Sequence, residues 1–225
     1  TDRRSEAVDA DFWLQRWNQG RIGFHRGEVM PLLEKHWATL DVAAHGRVFV
    51  PLAGKSLDMH WLAAQGHRVL GAELSPLAVQ AFFAEAGLEP VVSTDADGVH
   101  HRAGPIDLVQ GDVFALSAPT LATMAAVYDR AAIIALPPAL RRRYVAEVYA
   151  RLPPGCRGLL ITLEYPQAEK AGPPFSVDEA AVRELFAAQW QVELLERRDI
   201  LAQEPGFRAE GVSALSTAVY RLQRR

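Results

Sequence analysis

The 225-residue chain has one cysteine, Cys156, so no disulfide can form within it, which fits a reducing cytoplasm. Cys156 follows Pro153-Pro154-Gly155 just ahead of an apolar stretch, the setting of a buried small residue rather than of a nucleophile. Lysine is almost missing. Three Lys and 21 Arg are scattered among 27 acids, for a net charge of −3. Without a basic stripe, nucleic acid is not expected as a partner. No apolar run reaches transmembrane length and no secretory leader is recognisable, so the expectation is a cytoplasmic protein without a membrane partner. The seven histidines are dispersed, and the adjacent pair His100-His101 neither shares a strand face nor has zinc spacing, so no metal is expected. No Ser-His-Asp arrangement stands out, and no residue is nominated as catalytic. Internal repeats and low-complexity tracts are also wanting. What remains, 49% hydrophobic and 23% charged residues, suits one domain with a sizeable core.

Two phosphate-binding signatures are incomplete. Gly54-Lys55-Ser56 resembles the end of a P-loop, but that motif needs a glycine five residues before Gly54, and Phe49 stands there. A dinucleotide fold wants G-x-G-x-x-G after its first strand, and only Gly54 is present.

The stretch from Arg47 to Pro76 nevertheless reads as a β-α-β unit. Val48 to Leu52 is a short apolar run, Ala53-Gly54-Lys55-Ser56 a turn, and Ser56 a cap for the helix that follows. Leu57, Trp61 and Leu62 share a face of that helix, and Gly66 ends it. Val69 to Ala72 is the second strand, with Glu73 at its C-terminal end. Ligands of open parallel sheets bind beyond the C-terminal strand ends. There the turn at Gly54 offers backbone N–H groups, and Glu73 can accept both hydroxyls of a ribose. That fits a cofactor with a ribose but no phosphate, of which S-adenosylmethionine is the common one. A generic β-α-β unit with a solvated Glu73 is the plain alternative.

Residues 1 to 10 are polar and read as loose. Asp11 to Asn18 is amphipathic, with Trp13 and Trp17 on one helix face, and a helix from Val29 to Thr39 carries Met30, Leu32, Leu33 and Trp37. Three Trp and Phe12 ahead of the first strand suggest a lid over the site, with packing on the sheet as the alternative. Ser75 caps a helix from Pro76 to Ala86. Further strands are expected at Pro90–Ser93, Ile106–Val109, Ala125–Tyr128, Gly158–Leu163, Trp190–Leu195 and Ala214–Leu222, and helices at Leu136–Arg151 and Val177–Gln189. Thr94 to Ala103 reads as polar turn, and Arg141 to Arg143 as a solvated helix face. The alternation predicts a doubly wound α/β domain over 1–225, with a lid and helix at 1–40 and a core at 47–225. Its sheet is expected to be mostly parallel, seven-stranded, with an antiparallel closing hairpin.

Five segments together resemble the thiopurine S-methyltransferases of the bacterial type, over nearly the whole chain. They are Phe12-Trp13…Trp17…Gly23-Phe24-His25, Val48-Phe49-Val50-Pro51-Leu52-Ala53-Gly54-Lys55-Ser56, Gly71-Ala72-Glu73-Leu74-Ser75, Tyr128-Asp129-Arg130-Ala131 and Gly172-Pro173-Pro174-Phe175. The resemblance implies a Rossmann-like class I S-adenosylmethionine-dependent methyltransferase, with S-adenosylhomocysteine as the cofactor product, acting as a monomer on a small molecule. It assigns cofactor contacts to Trp17, Leu52, Glu73 and Arg130, a cofactor-covering stretch to Trp13 and the residues up to Phe24, adenine contacts to Asp112 and Val113, and a substrate contact to Phe24. Where the family usually has Pro-Leu-Cys-Gly-Lys, this chain has Ala53, which is small enough to keep the turn. The region of Arg208 departs from the pattern, and no substrate arginine is carried over to it.

Methyl transfer from a sulfonium is an in-line displacement that needs alignment and exclusion of water. A thiolate is nucleophilic on its own, so no general base is required. A sulfonium beside an indole gains ~0.5–2 kcal/mol, which Trp13 or Trp17 can supply. Asp112 reads either as an acceptor for the adenine amine or as a strand end. Arg130 reads as a holder of an anionic substrate or of the cofactor carboxylate, or as a surface partner of Asp129. The expected function is S-methylation of thiopurines, other thiols, or related selenium and tellurium species. The alternative is a non-catalytic or other nucleotide-binding α/β module.

Overall fold

The alternation in Val48-Phe49-Val50 decides how the sheet is covered. Phe49 points into one apolar layer with Leu70, Val127, Leu160 and Tyr220, while Val48 and Val50 point into the other with Val69, Leu159 and Ile161. A strand buried on both faces reads as an unbroken apolar run, as this one does. The computed structural model describes residues 3–225, the first seven of these by backbone alone.

The strands are β1 (Arg47–Val50), β2 (Arg68–Glu73), β3 (Val91–Asp95), β4 (Gly98–Ala103), β5 (Ile106–Gln110), β6 (Ala126–Asp129), β7 (Arg157–Glu164), β8 (Trp190–Asp199) and β9 (Ser216–Arg224). Among the described residues they form one sheet in the order β3-β4-β5-β2-β1-β6-β7-β9-β8. The pairs from β5 through β2, β1 and β6 to β7 are parallel, and only β4 and β9 run against the rest. The helices are α1 (Arg3–Asn18), α2 (Pro31–His36), α3 (Asp58–Ala64), α4 (Pro76–Glu85), α5 (Ala118–Leu121), α6 (Ala132–Ala135), α7 (Pro138–Glu147), α8 (Glu179–Phe186) and α9 (Pro205–Ala209). Residues of α2, α3 and α4 cover one face and residues of α7 and α8 the other. Gly71 lets α3 lie close to β2, since a Cβ there would stand 2.8 Å from Met59 Sδ and 2.6 Å from Leu108 Cδ1. None of the described helices is long and apolar enough to cross a membrane.

All eight strand segments read from the sequence and the closing hairpin are present, but among the described residues the sheet has nine strands rather than seven, because the unexpected β4 joins β5 to the edge strand β3. The stretch read as polar turn holds β4, because the buried side of that strand is itself polar. His100 is buried there, with Nδ1 2.9 Å from Asp107 and Nε2 2.9 Å from Asp95. Three other expectations change. Residues 3–10 belong to α1 rather than to a loose segment, while residues 1 and 2 lie outside the described residues. Helix α3 begins at Asp58, whose N–H donates to Ser56 Oγ at 3.2 Å, so Ser56 sits one residue before the N-cap. Arg141 is buried rather than solvated. Its Nε donates to Ile133 O at 2.7 Å and its Nη2 to Leu136 O at 3.0 Å, satisfying carbonyls that α6 leaves open. Cys156 is buried as expected, and burial pushes its thiol up to about 12.

Candidate active site

The parallel strands put their C-terminal ends on one rim, and a cavity of about 1290 Å³ opens there. Leu52 leaves β1 with φ +48°, a left-handed conformation that costs a non-glycine residue ~1–2 kcal/mol. Ala53 N–H then donates to Ala72 O at 2.9 Å, which keeps the turn against β2. The next residue, Gly54, also has positive φ, at +55°.

This turn delivers an N–H to Glu73. Gly54 N–H donates to Glu73 Oε2 at 2.8 Å, and Ser75 N–H donates to Oε1 at 2.7 Å. A carboxylate has about four acceptor positions, so about two remain for ligand hydroxyls. Glu73 is 7% exposed and lines the cavity. Burial raises its pKa above the usual glutamate value, against the pull of the bonds from Ser75 and Gly54. A half-satisfied buried carboxylate on the rim suits the paired hydroxyls of a ribose.

Asp112 follows β5 on the same rim, and its Oδ1 accepts from Phe114 N–H at 2.9 Å. That makes it the cap of a short helical turn, leaving one carboxylate oxygen over beside buried Val113. Opposite lie Trp13 and Trp17 of α1, which meet the Phe24 ring edge-on at 5.4 and 5.6 Å. Trp13, Trp17, Phe24, Leu52, Gly54, Glu73, Asp112, Val113 and Arg130 all line this one cavity. The sequence-predicted site residues are therefore brought together without exception.

Arg130 follows β6, and the alternative that paired it with Asp129 does not hold. Asp129 is wholly buried on the other side, accepting from Tyr144 and Tyr149 hydroxyls at 3.2 and 3.1 Å and from Ile133 N–H at 3.3 Å. Burial raises its pKa to about 6. Arg130 Nε instead donates to Asp58 Oδ2 at 2.8 Å. The same oxygen accepts from Tyr128 Oη at 2.8 Å, and Asp58 Oδ1 accepts from Met30 N–H at 2.8 Å. Burial and the Asp58 charge hold the Tyr128 phenol well above its ordinary range, so it acts as a donor. Sequence reasoning misses Asp58. Its only local signal is an acidic residue in the first turn of α3, which elsewhere merely complements the helix dipole.

Away from the cavity, Asp95, Asp97 and His100 place one ligand atom each within 4.8 Å of one another. These atoms are already bonded within the fold, Asp97 to Ser117 N–H at 2.7 Å and His100 Nε2 to Asp95 Oδ1 at 2.9 Å.

Comparison with known proteins identifies the family. The family described as "Thiopurine S-methyltransferase (TPMT)" matches residues 8–225. A thiopurine S-methyltransferase of Xanthomonas campestris pv. campestris (strain 8004) is 67% identical over 217 residues, covering 96% of this chain and 100% of that protein. One from Bordetella parapertussis is 59% identical, over 96% of this chain and 99% of that protein. Among solved structures, the 1,6-didemethyltoxoflavin-N1-methyltransferase of Burkholderia thailandensis, with S-adenosylhomocysteine bound, superposes with a TM-score of 0.65 at 17% identity, covering 100% of this chain and 91% of that one. The chain thus belongs to the thiopurine S-methyltransferase family and is an S-adenosylmethionine-dependent methyltransferase of class I fold.

Proposed function

We propose that this enzyme methylates the sulfur of thiopurines or of other small thiols. The observation that carries the reading is Glu73. It is a buried carboxylate at the cavity rim, held by two backbone N–H groups, with acceptor positions left for a diol. When bound, S-adenosylmethionine supplies an electrophilic methyl group on a sulfonium. Glu73 orients the ribose, and the left-handed turn at Leu52 and Gly54 brings backbone close to the cofactor. Asp112 and Val113 border the adenine. Trp13 and Trp17 shield the sulfonium from water and offer it aromatic faces. Arg130 holds a negative group, either of the cofactor or of the acceptor.

No general base is needed, because the thiolate attacks as it stands and positioning supplies the acceleration. Phe24 lies where a planar acceptor meets the lid, 39% exposed beside the two indoles. The reading is of a single domain acting as a cytoplasmic monomer on a small molecule.

The test uses labelled S-adenosylmethionine with 6-mercaptopurine, small aliphatic thiols, selenols and tellurite as acceptors. Label transfer to sulfur is expected, together with calorimetric binding of S-adenosylhomocysteine but not of NAD or ATP. Binding of the cofactor product without transfer to any thiol would favour a binding module instead.

A further inference from the structure

Asp58 is not on the cavity wall, yet the groups it holds are. Its side chain is 1% exposed and carries three bonds, from Met30 N–H, Tyr128 Oη and Arg130 Nε, each at 2.8 Å. All three of these residues line the cavity. They come from separate places in the chain: the residue before α2, the end of β6 and the residue after β6. Arg130 spends Nε on Asp58, and among the described residues neither of its Nη amines has a hydrogen-bond partner. A guanidinium is a rigid planar fork, so fixing Nε fixes the direction of both Nη groups.

We propose that Asp58 is the positioning residue of the site, holding the Arg130 fork with its two amine ends toward the ligand while it pins the Met30 end of the covering segment to the core. This rests on the reading that Arg130 holds a ligand group. One carboxylate thereby serves the floor and the cover together. A buried carboxylate is the suitable anchor, because a neutral acceptor forms weaker bonds to a guanidinium and leaves its charge uncompensated.

The test is a double-mutant cycle with Asp58→Asn and Arg130→Gln in the full-length enzyme. It is read by calorimetric affinity for S-adenosylhomocysteine and by kcat/KM with 6-mercaptopurine. Asn keeps the size of Asp58 and can still accept from Met30 N–H, but its amide meets Arg130 donor to donor. Asp58→Asn is expected to lower at least one of the two readouts about 10- to 100-fold with Arg130 present, and less than about twofold in the Arg130→Gln background. A merely structural role would give equal losses in both backgrounds, and that result overturns the proposal while leaving the reading of Arg130 intact. If Arg130→Gln by itself changes neither readout, the reading of Arg130 falls and Asp58 falls with it. Should Asp58→Asn not fold, Asp58→Glu keeps the charge and displaces the fork by one methylene. In the same cycle, its loss confined to the Arg130 background supports the proposal, and equal losses in both backgrounds overturn it.

Discussion

Trp17 closes over Gly54, its Cζ2 carbon 3.4 Å from where a side chain on Gly54 would begin. That distance admits a methyl group, so backbone conformation rather than contact opposes a side chain at this left-handed position. Gly54→Ala is expected to lower stability by ~1–2 kcal/mol. Gly54→Val adds a branched side chain under the indole and should also weaken S-adenosylhomocysteine several-fold more than Gly54→Ala does. Urea unfolding and calorimetry check both. A Gly54→Ala protein as stable as its parent would refute the strained-turn account.

Glu73→Ala removes the carboxylate that accepts from both turns that follow β1 and β2. Loss of a charge-assisted bond of ~1.5–3 kcal/mol should weaken S-adenosylhomocysteine about 10- to 100-fold. Burial raises the Glu73 pKa, so its protonation sets in above the ordinary glutamate range and replaces an acceptor with a donor. Affinity should therefore be flat at alkaline pH and fall on acidification, and Glu73→Gln should remove that fall. Parallel affinity profiles for parent and Glu73→Gln would take Glu73 out of the site.

Asp129 predicts a pH dependence of stability. Its folded pKa of about 6 lies above that of an unfolded aspartate, so between the two values the native state binds more protons than the unfolded chain. Stability from this group is then gained as pH falls through that window and lost as pH rises through it, by ~3 kcal/mol in all. Asp129→Asn should lack this part. Urea unfolding of both proteins at pH 7.5 and pH 5 measures the difference, and identical pH trends would show that Asp129 does not titrate in this way.

The aromatic edge contacts of Phe24 with Trp13 and Trp17 tie the segment after α1 to α1 itself. If this assembly is a lid, ligand filling the cavity should steady it. Trypsin cleavage at Arg16 and Arg21 is expected to slow when S-adenosylhomocysteine is added. Equal cleavage with and without it would leave plain packing as the explanation.

Phe24→Ala should raise KM for 6-mercaptopurine far more than for a small aliphatic thiol, because an aromatic wall matters most to a planar acceptor. Steady-state kinetics at saturating cofactor decide it. Equal losses on the two acceptors would reduce Phe24 to a staple between α1 and its neighbours.

The β-α-β unit was legible because its signals are local: an apolar run, one glycine at a turn and a carboxylate at the next strand end. Asp58 was not, since its partners stand 28, 70 and 72 residues away and leave no periodic trace. Strand β4 escaped because periodicity detects apolar faces, and the residue it buries is His100, with Asp107 and Asp95 as company. Arg141 misled for the converse reason. An Arg-Arg-Arg run reads as surface, yet its first member lies inside, filling the open carbonyls of α6. The gathering of Trp13, Trp17 and Phe24 with Glu73 and Arg130 on one cavity follows from resemblance rather than from pattern.

The place of β9 in the sheet bears on how the protein is made. Strand β9 lies between β7 and β8 and pairs with both, yet it follows both in the chain. On the ribosome, β7 and β8 therefore emerge with their facing edges bare. They also run in the same direction, so an early direct pairing between them is a parallel mismatch that β9 must displace. Until β9 is released, the β7 edge stays bare, and a chaperone that shields it during that interval would raise the yield of active enzyme.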